Sequence, residues 1–350
     1  MKNIYLFLII FCCTINYSCK KCELIEQTIT NPDVPCEGTF YINRAEPGVD
    51  LFFFFNEFTK PISNPLQYAN GPGPNPVPTL TSNIISNFSA YDKINNQYIY
   101  EYIYDLATTP KIRFHHHNIT TFTSTFSSPM SSFYSPVFHG GRLFAIQVDP
   151  GTSSVQYKIL EINPLNGQEL NTLDIKNIVV NSPLVGKYMS SISDGGNNIY
   201  FLSGTNLIEV KVSSGNSQHF DIDPSFSPTN NYLGYFGLEF KKDEGILIAM
   251  KRNLDLNAIP VTALVSINHG STSVIKEILN ITSQFPSTPD KTINTDNYST
   301  TFDQCDNTYY ITERENSTST NLISIYLNRN TLKSQNLDFY WYGIEYMAKK

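Results

Sequence analysis

Charge is what this chain has least of. Only 16% of its 350 residues are Asp, Glu, Lys or Arg, and Ala, Glu, Lys and Arg are too few for a largely helical protein. Lysine and arginine number 24 against 31 acids, a net charge of −7, and they form no basic stripe. A nucleic-acid partner needs such a stripe to displace counterions, so that class is set aside. No apolar run reaches the roughly 20 residues that span a bilayer, since even "LFFFF" lies between Asp50 and Asn56. Six cysteines are present without a zinc pattern, because the "CKKC" pair has no second pair to complete it. What is abundant is Asn, Ser, Thr and aromatics, the last at 13%, and that mixture suits strands and turns.

The first residues read "MKNIYLFLIIFCCTINYSCKK". Lys2 followed by the apolar run Ile4 to Cys13 has the form of a signal peptide, which predicts export of an otherwise soluble chain. The stretch "NYSCKK" resembles the lipobox of bacterial lipoproteins, in the Ser-Cys-Lys-Lys form common in Bacteroidetes; Asn16 and Tyr17 stand where the stricter pattern has Leu and Ala or Ser. The resemblance implies a signal peptide over 1–18, acylation of Cys19, and a tether over 19–36 that holds the protein to a membrane, facing the periplasm or the outer surface. Plain secretion is the alternative. Cys22, Cys36 and Cys305 then remain, enough for one disulfide with one thiol left over, and the pairing is open.

Beyond residue 36 one grammar recurs: a strand, an Asp/Asn/Gly turn, a strand rich in Ile and Tyr, a variable loop, and two more strands. The turn is its best-kept part, as in "YDKINNQY", "SDGGNNIY" and "FDQCDNTY". Four strands at a period of roughly fifty residues is the pattern of a β-propeller. The predicted fold is all-β, a six-bladed propeller over 37–350. Its blades fall at about 37–70 with 341–350, then 86–125, 133–176, 188–223, 234–283 and 298–338. A β-sandwich is the rival, but it does not explain a recurring unit.

The first blade lacks its innermost strand, and the far end of the chain supplies one. Joined to "EGTFYINR", the terminal "GIEYMAKK" reads without a gap against "GLEFKKDEGILIAMKR", with Gly343 on Gly237 and Glu345 on Glu239. Such closure removes exposed sheet edges. "LFFFF" becomes a central strand packed on both faces. The Pro/Gly-rich stretch at 64–83 reads as a rim loop. A tether entering at the first turn places the binding rim on the opposite, crossover side, facing a protein, peptide or glycan away from the membrane.

Little chemistry stands out. Of "FHHHN" (114–118), only His115 and His117 share a strand face, too few for a metal, and all three read as surface residues. Asp92, Asp194 and Asp303 recur at one place and read as turn caps. His139 and Cys305 each stand alone. The candidate channel site is Glu239 and Glu345 on innermost strands, with Thr301 between them. Two converging carboxylates there could share a proton or hold calcium, as in some six-bladed propeller hydrolases and lactonases that this architecture resembles. The sequence reading is a binding protein without cofactor or catalytic residues, with a calcium-dependent hydrolase as the alternative.

Overall fold

The places where the chain reverses are written in its turns. Asn96, Gly245 and Asn307 each stand four residues beyond the last residue of a strand, at Asp92, Lys241 and Asp303. All three have a positive φ, of 53°, 65° and 50°. Only Gly, and Asn among few others, takes that conformation cheaply, which is why the turn keeps those residue types. Aspartates cap two of these turns and the corresponding turn after Ser193. Asp92 Oδ1 accepts from the N–H groups of Ile94 and Asn95 at 2.9 and 3.3 Å, Asp194 Oδ1 from Gly196 and Asn198 at 2.7 and 3.0 Å, and Asp303 Oδ1 from Cys305 at 2.9 Å. The structural reading of these three residues holds.

A computed structural model describes residues 38–46, 49–55, 66–70, 89–104, 111–121, 123–126, 133–150, 154–180, 189–226, 234–254, 260–269, 274–281, 298–314, 319–338 and 340–348. The expected signal peptide, Cys19, the tether, and Cys22 and Cys36 lie outside them. Strands are numbered along the chain. The first sheet contains β1 (Gly38–Glu46), β2 (Val49–Phe55) and β3 (Leu66–Asn70). The second has β4 (Ser89–Asp92), β5 (Gln97–Tyr104), β6 (Lys111–Asn118) and β7 (Thr123–Phe126). The third has β8 (Tyr134–His139), β9 (Arg142–Pro150), β10 (Val155–Ile162) and β11 (Glu169–Ile178). The fourth has β12 (Ser190–Ser193), β13 (Asn198–Ser203), β14 (Asn206–Lys211) and β15 (Asn216–Asp221). The fifth has β16 (Gly234–Lys241), β17 (Ile246–Leu254), β18 (Pro260–Asn268) and β19 (Val274–Asn280). The sixth has β20 (Tyr298–Asp303), β21 (Thr308–Arg314), β22 (Ser319–Tyr326) and β23 (Thr331–Asp338), and β24 (Tyr340–Ala348) follows it.

β24 does not extend the sixth sheet. It pairs antiparallel with β1 and gives the first sheet the order β24-β1-β2-β3. Every sheet is then a four-stranded antiparallel meander, and the first strand of each lies beside the first strand of the next, with β24 between β20 and β4. The arrangement is a β-propeller of small sheets. One expectation is corrected. Residues 66–70, inside the expected blade bounds of 37–70 but also inside the expected rim loop of 64–83, are strand β3, because "LQYAN" supplies the ladder partner that the edge of β2 would otherwise lack; the strand is free of proline, with Pro65 just before it and Pro72 after it.

Apolar side chains fill the gaps between neighbouring sheets. Between the fifth and sixth, Phe236, Ile248, Met250 and Leu264 meet Phe302, Tyr309, Ile311 and Ile323. Between the sixth and first, Ile344 of β24 joins Phe40, Ile42, Leu322 and Leu337. A fully buried Leu, Ile or Phe contributes roughly 1.5–3 kcal/mol, so burial between sheets dominates the stability.

Two innermost strands carry the same local distortion. β16 shifts register between Phe236 and Glu239, and β24 does so where it passes β1 between Tyr41 and Asn43. At the centre of each shift stands a left-handed glycine, Gly237 (φ 64°) or Gly343 (φ 67°). Both neighbouring sheets grip the bulge. Tyr309 Oη donates to the Gly237 carbonyl at 2.5 Å while Leu238 N–H donates to Ser190 Oγ at 3.0 Å. In the first sheet Tyr98 Oη donates to the Gly343 carbonyl and Ile344 N–H donates to Ser299 Oγ at 2.8 Å. The alignment of Gly343 with Gly237 drawn from the sequence is thus matched bond for bond. A Cβ on Gly237 would lie 2.5 Å from Tyr309 Oη and 2.8 Å from Thr300 Cγ2, in a backbone conformation that L-residues avoid. Gly237→Ala is expected to cost about 3 kcal/mol or more in urea unfolding, several times the effect of Gly195→Ala in an open turn.

Candidate functional site

The register shifts decide where the glutamates point. Two residues beyond each glycine, Glu239 and Glu345 line a cavity of about 340 Å³ at the mouth of the central channel. Thr301 of β20 lines it between them, so the three residues singled out in the sequence do come together. Each glutamate is fixed by a hydroxyl from the next sheet. Thr300 Oγ1 donates to Glu239 Oε1 at 2.8 Å, and Ser89 Oγ donates to Glu345 Oε1 at 2.7 Å. Thr301 Oγ1 accepts from the Tyr346 N–H at 2.9 Å, which ties β20 to β24 at the same level.

Glu239 is only 7% exposed, and among the described residues neither glutamate has a salt-bridge partner. Burial and the Glu345 charge push Glu239 up to about 8, opposed by the Thr300 hydrogen bond. Burial pushes Glu345 up to about 7, opposed by the Ser89 hydrogen bond and by Lys93 at the cavity mouth. Two carboxylates that disfavour simultaneous ionisation are the expected result of a shared, partly dehydrated site.

The cavity wall rises from this floor to the turns. Ser191 and Ser193 of β12, Tyr91 of β4, Phe138 of β8, Phe240 of β16 and Tyr346 of β24 form much of it, with Lys93 and Lys242 at the edge. Its opening is therefore on the side of the first-to-second-strand turns. The sequence reading favoured the other rim, whose connections at 105–110, 181–188, 227–233 and 282–297 lie outside the described residues.

Sequence reasoning missed one contact here. His139, taken as isolated, has Nδ1 2.8 Å from Ser193 Oγ, which also accepts from the Gly195 N–H at 3.0 Å. Burial lowers the His139 pKa, so the imidazole is neutral at pH 7. A serine beside a neutral imidazole is the first link of an acyl-transfer site, which also requires a group to orient the base. The nearby Asp194 is instead held by Gly196 and by Asn198, whose Nδ2 donates to Asp194 Oδ2 at 2.9 Å. Ser193 and His139 sit at the ends of β12 and β8, a juxtaposition that only the closed ring reveals.

The histidine run also differs from expectation. His116 and His117 are 4% and 1% exposed, because β6 lies between β5 and β7 with both faces covered: His116 shares the face of Ile99 and Phe114 that packs on the third sheet, and His117 lies beside Tyr98 on the face toward the first. Burial lowers His116 to about 4, offset in part by the Pro164 carbonyl. The side chain of His115 lies outside what is described. Cys305 is disulfide-bonded to a partner outside the described residues.

No protein-family model matches the chain, and no curated protein matches it in sequence. Solved structures do. TolB from Acinetobacter baumannii superposes with a TM-score of 0.53 at 10% identity, over 89% of this chain and 67% of that one. The Malassezia sympodialis allergen Mala s 1 gives 0.43 at 11% identity, over 74% and 80%. The extracellular domain of a one-component system from B. thetaiotaomicron gives 0.35 at 11% identity, over 77% and 30%. The likeness to TolB establishes what the sheet order already describes, a β-propeller fold.

Proposed function

We propose that the chain is an exported, lipid-anchored, six-bladed β-propeller that binds a protein, peptide or glycan ligand in the channel-mouth cavity. The cavity carries this reading. Its volume lies within the usual range for ligand sites, and it joins aromatic walls to hydroxyls and carboxylates at one end of the channel. The six four-stranded sheets and the ring of their first strands support the blade count. Export rests on Lys2 with the run Ile4 to Cys13, and anchoring on Ser18-Cys19-Lys20-Lys21.

A blocked cavity tests the reading. Ser191 points from β12 toward the cavity and donates to the Ser135 carbonyl at 2.9 Å. Peptide and glycan arrays probed with the purified chain and with Ser191→Tyr are expected to show spots that the bulky variant loses. Spots retained by a folded Ser191→Tyr would place the binding surface elsewhere.

The calcium-dependent hydrolase is the second reading. Calcium takes six to eight oxygens, usually with several carboxylates among them. Among the described residues no three of His, Cys, Asp and Glu stand close enough together to hold a metal, so the floor offers two acids only. Stoichiometric calcium in the purified chain, lost together with esterase or lactonase activity in Glu239→Gln, would favour it over the first reading.

A further inference from the structure

The cavity has a polar floor whose chemistry is incomplete, and the missing part defines a ligand group. Glu239 is nine-tenths buried, yet its hydrogen bond from Thr300 uses Oε1 alone, and Oε2 has no protein partner among the described residues. Glu345 is half-buried, with Oε1 likewise taken by Ser89 and the second oxygen without a partner among the described residues. Lys93 and Lys242 line the cavity but form no ion pair with either carboxylate. Buried carboxylates are ordinarily paired, because an isolated one loses its hydration without compensation. Here the two unsatisfied oxygens face a cavity a ligand can enter.

Resting on the binding reading above, we propose that the cavity floor receives a primary ammonium group of the ligand, held between Glu239 and Glu345. An ammonium carries three donors and no acceptor, and the floor offers the two uncommitted carboxylate oxygens for it. One positive charge also relieves the repulsion between the glutamates, whereas calcium would need several further oxygens. The group is the α-ammonium of a peptide or the side chain of a lysine. Gly343 and Gly237 place the glutamates at equivalent positions on innermost strands two sheets apart, and both line the one cavity, so the ammonium is shared rather than bound by one acid.

Calorimetry at pH 8 distinguishes the sources and the alternatives. The probes are triglycine amide, with a free α-ammonium, and Nα-acetyl-lysine amide, with only the side-chain one. Nα-acetyl-triglycine amide and Nα-acetyl-norleucine amide are their neutral counterparts. At least one charged probe is expected to bind, its neutral counterpart at least tenfold more weakly, and Glu239→Gln and Glu345→Gln each to weaken it about tenfold or more. The Gln variants keep the shape of the floor, and a melting temperature at pH 8 no lower than that of the unmodified chain confirms that they fold. Equal binding of neutral and charged probes, no binding of either charged probe at millimolar concentration, or indifference to both Gln variants overturns the proposal. So does tight one-to-one binding of calcium chloride that Glu239→Gln abolishes. An array ligand lost in Ser191→Tyr but retained in Glu239→Gln would leave the cavity reading standing and remove only the ammonium.

Discussion

Removal of residues 340–350 is expected to abolish the cooperative unfolding transition. The nine residues of β24 make seven residue pairs with β1, carry the fully buried Ile344, and lie between β20 and β4. Without them β1 becomes an edge, Tyr98 Oη loses the Gly343 carbonyl, and Ser299 loses the Ile344 N–H. At about 1 kcal/mol net per hydrogen bond, plus the burial of Ile344 and its neighbours, the loss is on the order of 10 kcal/mol, comparable to the whole stability of a typical domain. Near-ultraviolet circular dichroism and thermal melting check this. A truncated chain that melts within a few degrees of the intact one would show that the ring does not need its closing strand. Ile344→Asp serves as a milder version, leaving the strand in place while burying a charge in the same cluster.

Stability is also expected to fall as pH rises from 6.5 to 8. Glu239 and Glu345 have folded-state pKa values of about 8 and about 7, well above the ordinary carboxylate value that the unfolded chain returns to. In that interval the folded chain holds protons that the unfolded chain has released. The contribution is complete below the unfolded pKa and disappears as pH passes through 7 and then 8. With one to two protons involved, the slope is roughly 1.4–2.7 kcal/mol per pH unit at its steepest. His116 acts in the opposite sense and at lower pH, since its lowered pKa costs stability only as pH falls below the ordinary histidine value toward 4. The two limbs are therefore separable. Melting temperatures of the Glu239→Gln, Glu345→Gln double variant should be nearly flat from pH 6.5 to 8 while the unmodified chain declines. Parallel profiles for the two proteins would mean that the glutamates are solvated and ordinary.

The fold was legible because the turns repeat and turn chemistry is local. A left-handed residue at Asn96 or Asn307 and a cap at Asp92 or Asp303 depend only on residues within a few positions, and they leave their mark in any single copy. The pairing of β24 with β1 was legible for a different reason: Gly343 and Glu345 copy Gly237 and Glu239, so one intact unit served as a template for a divided one. The site was half legible. That Glu239, Glu345 and Thr301 share a cavity followed from the alignment, but the hydroxyls that fix them, Thr300 and Ser89, belong to neighbouring sheets and carry no signal of their own. His139 and Ser193 went unnoticed because 54 residues separate them. His116 and His117 were misplaced because their strand was read as an outer, solvent-exposed one, whereas β6 is the third of four strands and neighbouring sheets cover both its faces. The short strand β3 fell inside the expected first blade, but its boundary with the rim loop was blurred by the Pro- and Gly-rich sequence on either side.

The gripped bulges at Gly237 and Gly343 also bear on how fast a guest could arrive. Each glutamate sits two residues from a peptide unit bonded to both neighbouring sheets, so its backbone is fixed before any ligand comes near. The ordering entropy of the floor is accordingly charged to folding rather than to association, and no rearrangement need precede contact. Occupancy of such a floor should relax in a single exponential phase whose rate rises linearly with ligand concentration. The amides of Leu238 and Ile344 should exchange with solvent only when the entire ring opens.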